Sequence, residues 1–231
     1  MPHTIVPAIQ KGVHYEPVRD FTPIGLIGTA SMFFFVNAAV QAKTAADFVA
    51  LAKASSDKIT IASGGIGSAT HLTAELFQAK AGIKLVHVPF RGAGPAMNDL
   101  VAGHVQSGFT TMATASSVLD RVRTLAGASE TRSAAQPNIP TFKEGGVDLI
   151  VEHWWGVLGP AGLPPEIAAR LSKDLKTILS SPEFVARLAP LGVTASQSSP
   201  AHASPAQFRA LIESDTKRWA DIVKSIGVSP Q

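Results

Sequence analysis

The chain has 231 residues, enough for one large domain or two smaller lobes, and its 45% apolar and 16% charged residues describe a globular protein. It contains no cysteine, which excludes disulfides, thiolate zinc sites and cysteine nucleophiles and suits an oxidising compartment such as the periplasm. A net charge of +3 with no Lys/Arg run and few aromatics leaves no footprint for nucleic acid, and no apolar run reaches the length of a bilayer span.

The opening stretch "MPHTIVPAIQKGVHYEP" lacks the basic, apolar and cleavage segments of a signal peptide, so either the protein is cytosolic or the chain begins after its true start. "TPIGLIG" and "FFFVN" read as strands. Thr44 is placed to cap a helix reaching Ala54, with Asp47 at its third position and Phe48, Leu51 and Ala52 on one face. A short strand over 58–62 follows, then a glycine loop, then a helix over 68–80 with Leu72 and Leu76 inward and Gly82 ending it. "KLVHVPF" (84–90) is the next strand, "RGAG" a loop and 95–102 a helix, with further strands at 104–110 and 122–129. Strands separated by such helices imply parallel pairing with right-handed crossovers.

Pro165, Pro182 and Pro205 each sit where a first helical turn begins, two of them behind a serine. A helix over 165–180 carries Ile167, Leu171, Leu175 and Ile178 at helical spacing. Another over 205–226 carries Phe208, Leu211, Ile212, Trp219, Ile222 and Val223. "TASQSSPAHASP" (194–205) between them reads as a small-residue linker, and there is no internal repeat.

The stretch that carries chemistry is "ITIASGGIGSATHL" (59–72). It has no Gly-x-Ser-x-Gly nucleophile turn, no Gly-Lys-Ser/Thr phosphate loop and no Gly-x-Gly-x-x-Gly fingerprint, because Thr70 stands at the third glycine position. What remains is a strand, a glycine turn and a helix opening on Ser68, Ala69 and Thr70. Such a helix leaves N–H donors and a partial positive charge at its start, and glycines admit a ligand to the main chain. The product is an anion seat, suited to a carboxylate as well as to a phosphate. The alternative is a plain strand–helix connection with Ser68 as its N-cap. "VPFRGAGPA" (88–96) repeats the arrangement at the next strand end, with Arg91 and Gly92. In open α/β sheets ligands lie beyond the carboxyl ends of strands, so both loops can face one crevice.

Taken together, "ASGGIGSATHLTAELFQAKAGIKLVHVPFRGAGPAMNDLVAGHV" resembles the Ala-Ser-x-Gly-x-Gly-Ser-x-x-His-Leu and His-Val-Pro-Tyr-Lys-Gly signature of the Bug receptors, the periplasmic substrate-binding proteins of tripartite tricarboxylate transporters. The resemblance extends upstream through "YEPVRDFTPIGLIGTA" and downstream through "HWWGVLGPAGLPPEIAARL" and "RWADIVKSIGV". It implies a two-lobed α/β fold of the periplasmic-binding-protein type (type II), closing on a small carboxylate-bearing ligand. Residues 37–150 would form the second lobe, and 1–36 with 151–231 the first. It also implies a non-catalytic protein that delivers an organic acid to membrane permease subunits, with no cofactor; the remaining histidines have no metal spacing with carboxylates, so no metal is expected.

By position, the family's anion contacts fall on Ser63, Gly64, Gly65, Gly67, Ser68, Ala69 and Thr70, with Arg91-Gly92 in place of its Lys-Gly. His3 and Thr4 match a first-lobe loop near the ligand. Thr110 and Thr111 follow Phe109 where the family often has an acidic residue, and the segment onward to Val122 is about two residues shorter, so specificity does not carry over. The family's opening strands and first glycine-rich loop have no counterpart, so the first lobe is expected to be incomplete and both long C-terminal helices to lack cover.

His71 is expected to pair with Glu75 one turn on, His87 to face away from its flanking valines, and Trp154 and Trp155 to pack at the lobe crossing. Two other readings stay open: a sensing lobe for the same acids that signals to a partner, and a small serine hydrolase using Ser63 or Ser68 with His71.

Overall fold

The computed structural model describes residues 2–55, 58–196 and 204–227. The chain forms two compact units, Met1–Ala30 with His153–Gln231, and Ser31–Glu152.

The central unit is built on five strands: β2 (Phe33–Asn37), β3 (Thr60–Ser63), β4 (Val86–Pro89), β5 (Ser107–Thr110) and β6 (Val122–Gly127), in the order β4-β3-β5-β2-β6. The helices are α2 (Ala45–Ala54), α3 (Ala69–Ala81), α4 (Ala93–Ala102) and the short α5 (Met112–Ala115). Their ends follow local chemistry. Thr44 and Asp47 form a reciprocal capping box on α2. Ser68 caps α3, which stops at Gly82 with φ 62°, a left-handed conformation that glycine adopts at little cost.

β3 pairs in parallel with β4 and β5, as alternation with helices implies, but β2 runs antiparallel to both β5 and β6. The sheet is therefore mixed. Because both faces of β2 are covered, Phe33, Phe34, Phe35 and Val36 are all buried rather than alternating. On one face Phe34 meets the rings of Phe48 and Phe109 at 4.8 Å and of Phe77 at 5.2 Å. On the other, Phe33 and Phe35 join Ala62, Met97 and Leu100 of α4 and its neighbours. The expected boundary at residues 36/37 moves to 30/31 for this reason: β2 is an interior strand of the central sheet and cannot belong to the other unit.

The other unit contains a three-stranded sheet in the order β7-β1-β8, made of β1 (Phe21–Ser31), β7 (Glu152–Pro160) and β8 (Thr194–Ala195). β8 begins the stretch expected as linker. It pairs antiparallel with β1, and Ser196 Oγ donates to the Leu26 carbonyl at 2.6 Å. The rest of that linker, 197–203, lies outside the described residues.

The loop expected around His3 and Thr4 is a helix, α1 (Pro2–Ile9). Pro7 inside it cannot donate to the His3 carbonyl, and the Tyr15 hydroxyl does so instead at 3.1 Å. α1 packs on α8 (Pro205–Ser225), where Phe208, Ile212, Trp219 and Val223 are all buried. The stripe expected to lack cover is thus covered. α6 (Pro165–Leu179), which α7 (Pro182–Leu188) follows in the chain, differs. Leu175 lies over Gly25 of β1, where a Cβ would come within 2.9 Å of it. Ile167, Leu171 and Ile178 remain 44–52% exposed.

Trp154 is buried, edge-on to Phe208 at 5.4 Å, and its Nε1 donates to Asp215 at 2.9 Å.

Candidate functional site

Parallel pairing places the carboxyl ends of β3, β4 and β5 side by side, with Ser63 opposite Pro89 and Ala62 opposite Gly108. This brings three sets of expected residues to one sheet edge: the loop from Ser63 to Thr70, Arg91 with Gly92, and Thr110 with Thr111. Gly64 lies so close to the neighbouring loop that an added Cβ would stand 3.0 Å from Ala93 N. His3 and Thr4 are in the other unit. There His3 Nε2 is 2.8 Å from the Pro17 carbonyl, and Thr4 Oγ1 donates to Asp215 at 2.5 Å.

Inside the glycine loop most donors are already used. Gly64 N–H donates to Thr70 Oγ1 at 2.8 Å, Gly65 N–H to Ser63 Oγ at 3.1 Å and Gly67 N–H to His71 Nδ1 at 3.0 Å. Ser68 N–H reaches the Gly65 carbonyl, and Ser68 Oγ accepts from His71 N–H. Among the described residues, the N–H groups of Ile66, Ala69 and Thr70 have no acceptor. The first two N–H groups of α4, those of Ala93 and Gly94, stand likewise behind a Gly92 that makes no side-chain cap. The seat therefore consists of a few open donors at two helix starts, held in shape by a loop that is wired to itself. Gly65 at φ 120° and Gly67 at φ 76° permit that wiring, since side-chain-bearing residues avoid both conformations.

The electrostatics favour an anion. Segments 63–70, 89–95 and 110–116 contain no acidic residue, and Arg91 is an exposed cation in the loop that leads into α4. Thr110 is buried at the end of β5, while Thr111 caps α5 through Thr114 N–H.

Behind the loop lies a cluster that sequence reasoning missed. His87 does face away from its flanking valines, and that direction brings its Nε2 to 2.6 Å from Ser63 Oγ. Its ring stacks on His71 at 4.2 Å. The expected pairing of His71 with Glu75 is present, Nε2 to Oε1, at 3.6 Å. Burial pushes the pKa of His71 below its ordinary value, with Glu75 opposing. Burial, and then the neighbouring His71, pulls that of His87 down to about 4. The alternation of β4 was the available signal; only the pairing of β3 with β4 reveals what the ring meets.

The hydrolase alternative finds no support in this geometry. His71 spends Nδ1 on Gly67 and faces neither serine as a base, and Ser63, which does meet a histidine, is 1% exposed. A cavity of about 270 Å³ lined by Asn37, Val40, Leu51, Ile59 and Gln106 sits at the amino end of β3, away from the loop. Its Asn37 amide and the Gln106 side-chain carbonyl bond to the protein itself. Among the described residues no group of three or more acidic or histidine side chains could hold a metal ion.

In fold this α/β chain is like the periplasmic binding proteins. The solved structure of the periplasmic binding protein BugD is similar to it, with TM-score 0.92 and 28% identity, covering 100% of this chain and 77% of that one. The family model "Tripartite tricarboxylate transporter family receptor" matches residues 1–228, and the chain belongs to that family. MatC from Rhodopseudomonas palustris with bound malate is also similar, with TM-score 0.87 and 26% identity over 96% of this chain and 76% of that one. A UPF0065 protein of Agrobacterium vitis is 31% identical over 224 residues, 95% of this chain and 64% of its own length. The chain thus spans somewhat under two thirds of the first curated relatives it matches, 64% and 62%.

Proposed function

We propose that this chain is a solute-binding receptor, located in the periplasm, that captures a small organic acid and presents it to the permease subunits of a tripartite transporter. One observation carries the reading. Open N–H donors of Ile66, Ala69 and Thr70 lie in a loop packed against the backbone of the one that carries Arg91, with no acid in either loop. A carboxylate there would receive charge-assisted hydrogen bonds, each contributing about 1.5–3 kcal/mol. Ile66, 50% exposed at the tip of the loop, offers apolar contact to a short carbon skeleton.

Membership of the receptor family supports the delivery role, and the malate held by MatC supports the ligand class. The protein acts by binding alone: its buried serine–histidine contact serves the loop rather than a reaction.

The test is a thermal-shift screen over mono-, di- and tricarboxylates, followed by calorimetry on the best of them and an ester-hydrolysis assay. A ligand that binds only the folded state raises the melting temperature. Gly67→Val, which blocks close approach and strains a positive φ, should weaken binding more than Ser68→Ala, which removes one hydroxyl. No shift with any carboxylate, or ester turnover abolished by Ser63→Ala, would overturn the reading.

A further inference from the structure

The loop that carries the seat is fixed from behind by two imidazoles. Gly67 N–H can donate only to an unprotonated Nδ1, so His71 is the Nε2–H tautomer, and that proton faces Glu75 across 3.6 Å. Gly65 N–H rests on Ser63 Oγ, which lies 2.6 Å from His87 Nε2. The two rings stack at 4.2 Å with an interplanar angle of 22°. Two of the three glycine amides of the loop, those of Gly65 and Gly67, are thus referred to one pair of histidines, one on α3 and one on β4.

We propose that His71 and His87 are positioning residues whose uncharged, stacked state holds the glycine loop in its donor geometry, so that acid loosens the seat by protonating the pair. A proton added to His71 Nδ1 sets N–H against the Gly67 N–H and breaks that bond. The groups facing the pair are few. Among the described residues, α3 offers Glu75, β3 offers the Ser63 hydroxyl, and the remaining titratable neighbour of each ring is the other ring. Glu75 faces His71 and not His87, so the first proton goes to His71. Its charge then opposes a second on the stacked partner. The downward displacement of both pKa values agrees with a pair kept neutral at neutral pH.

The consequence for affinity rests on the carboxylate reading above; the consequence for the loop does not. The experiment separates the two. In ¹⁵N-labelled protein without ligand, long-range imidazole spectra report the tautomer, and the Gly65 and Gly67 amides report the loop, from about pH 7.5 to about pH 4.5. His71 should appear as the Nε2–H form, and the Gly67 amide should move with the protonation of His71. In His71→Asn the side-chain carbonyl can still accept from Gly67 but cannot titrate, so the Gly67 amide should stay in place across the range.

With L-malate as probe, calorimetry compares the two proteins over the same range, which cancels the titration of the ligand itself. The wild type should lose about tenfold more affinity than His71→Asn on acidification. A doubly protonated or Nδ1–H His71 at neutral pH overturns the proposal. So does a Gly67 amide whose pH profile is identical in the wild type and in His71→Asn. Failure of malate to bind, with the amide profiles as expected, counts against the carboxylate reading and leaves the histidine proposal supported.

Discussion

Replacing Gly64 with alanine tests whether the two loops of the seat work as one. An added Cβ would meet backbone, 3.0 Å from Ala93 N and 3.2 Å from Gly92 C, where ordinary contact begins at 3.4 Å. Neither atom belongs to a side chain that could swing aside, so the β3–α3 and β4–α4 loops must part by about 0.4 Å or more. Overpacking of this kind costs about 1–3 kcal/mol. In a domain of this size that corresponds to a melting temperature lower by roughly 2–10 °C. Donors from both helix starts would no longer converge on one carboxylate, and affinity should fall by about tenfold, or 1.4 kcal/mol. Gly94→Ala is the matched control for stability alone, since nothing lies within 4 Å of its added Cβ and the residue lies in the first turn of α4. It should leave the fold unchanged or slightly stabilised. Thermal unfolding and calorimetry on both variants decide the matter. If Gly64→Ala melts like Gly94→Ala and binds like the wild type, the loops are not in tight register and the shared seat is wrong.

Gly156→Ala should destabilise the other unit by about 3 kcal/mol, because its Cβ would stand 2.2 Å from the tip of the Phe208 ring, itself fully buried. The same change in a Phe208→Leu background should cost distinctly less, as read by urea unfolding of the four proteins of the cycle. Phe34→Ala, at the centre of the aromatic cluster, should cost about 3–5 kcal/mol and lower the urea midpoint accordingly. Stability should also depend on pH. His87 and His153 are both drawn by burial down to about 4, so the folded state holds them neutral while the unfolded chain protonates near 6.5. Their contribution is complete above about 6.5 and is lost as pH falls toward 4. Both rings are partly exposed to solvent, which limits the loss to about 1 kcal/mol each. Urea melts at the two ends of that window should reveal it, and His153→Asn should diminish the difference.

Features that depend on neighbours a turn apart could be read directly from the chain. Thr44 with Asp47, Ser68 with Gly82, and Ser204 ahead of Pro205 each act within a few residues of chain, so the helices they bound were legible to within a residue or two. The glycine loop was legible for the same reason, because its positive φ angles and its serine cap are local demands. Features that depend on pairing at long range could not be read that way. "FFFVN" reads as a strand from its composition, yet its antiparallel place between β5 and β6 comes from contacts with segments 70 and more residues away. The helices α6 and α8 have similar apolar stripes, and nothing in either pattern says that α1 would cover one while Ile167, Leu171 and Ile178 of the other stay exposed. His71 and His87 could each be assigned a direction from periodicity. That they meet, and that Ser63 joins them, follows from the register that sets Ile61 of β3 against His87 of β4. Caps and turns are settled by the chain's own next few atoms, whereas register and cover are settled by which distant surfaces exclude water from each other.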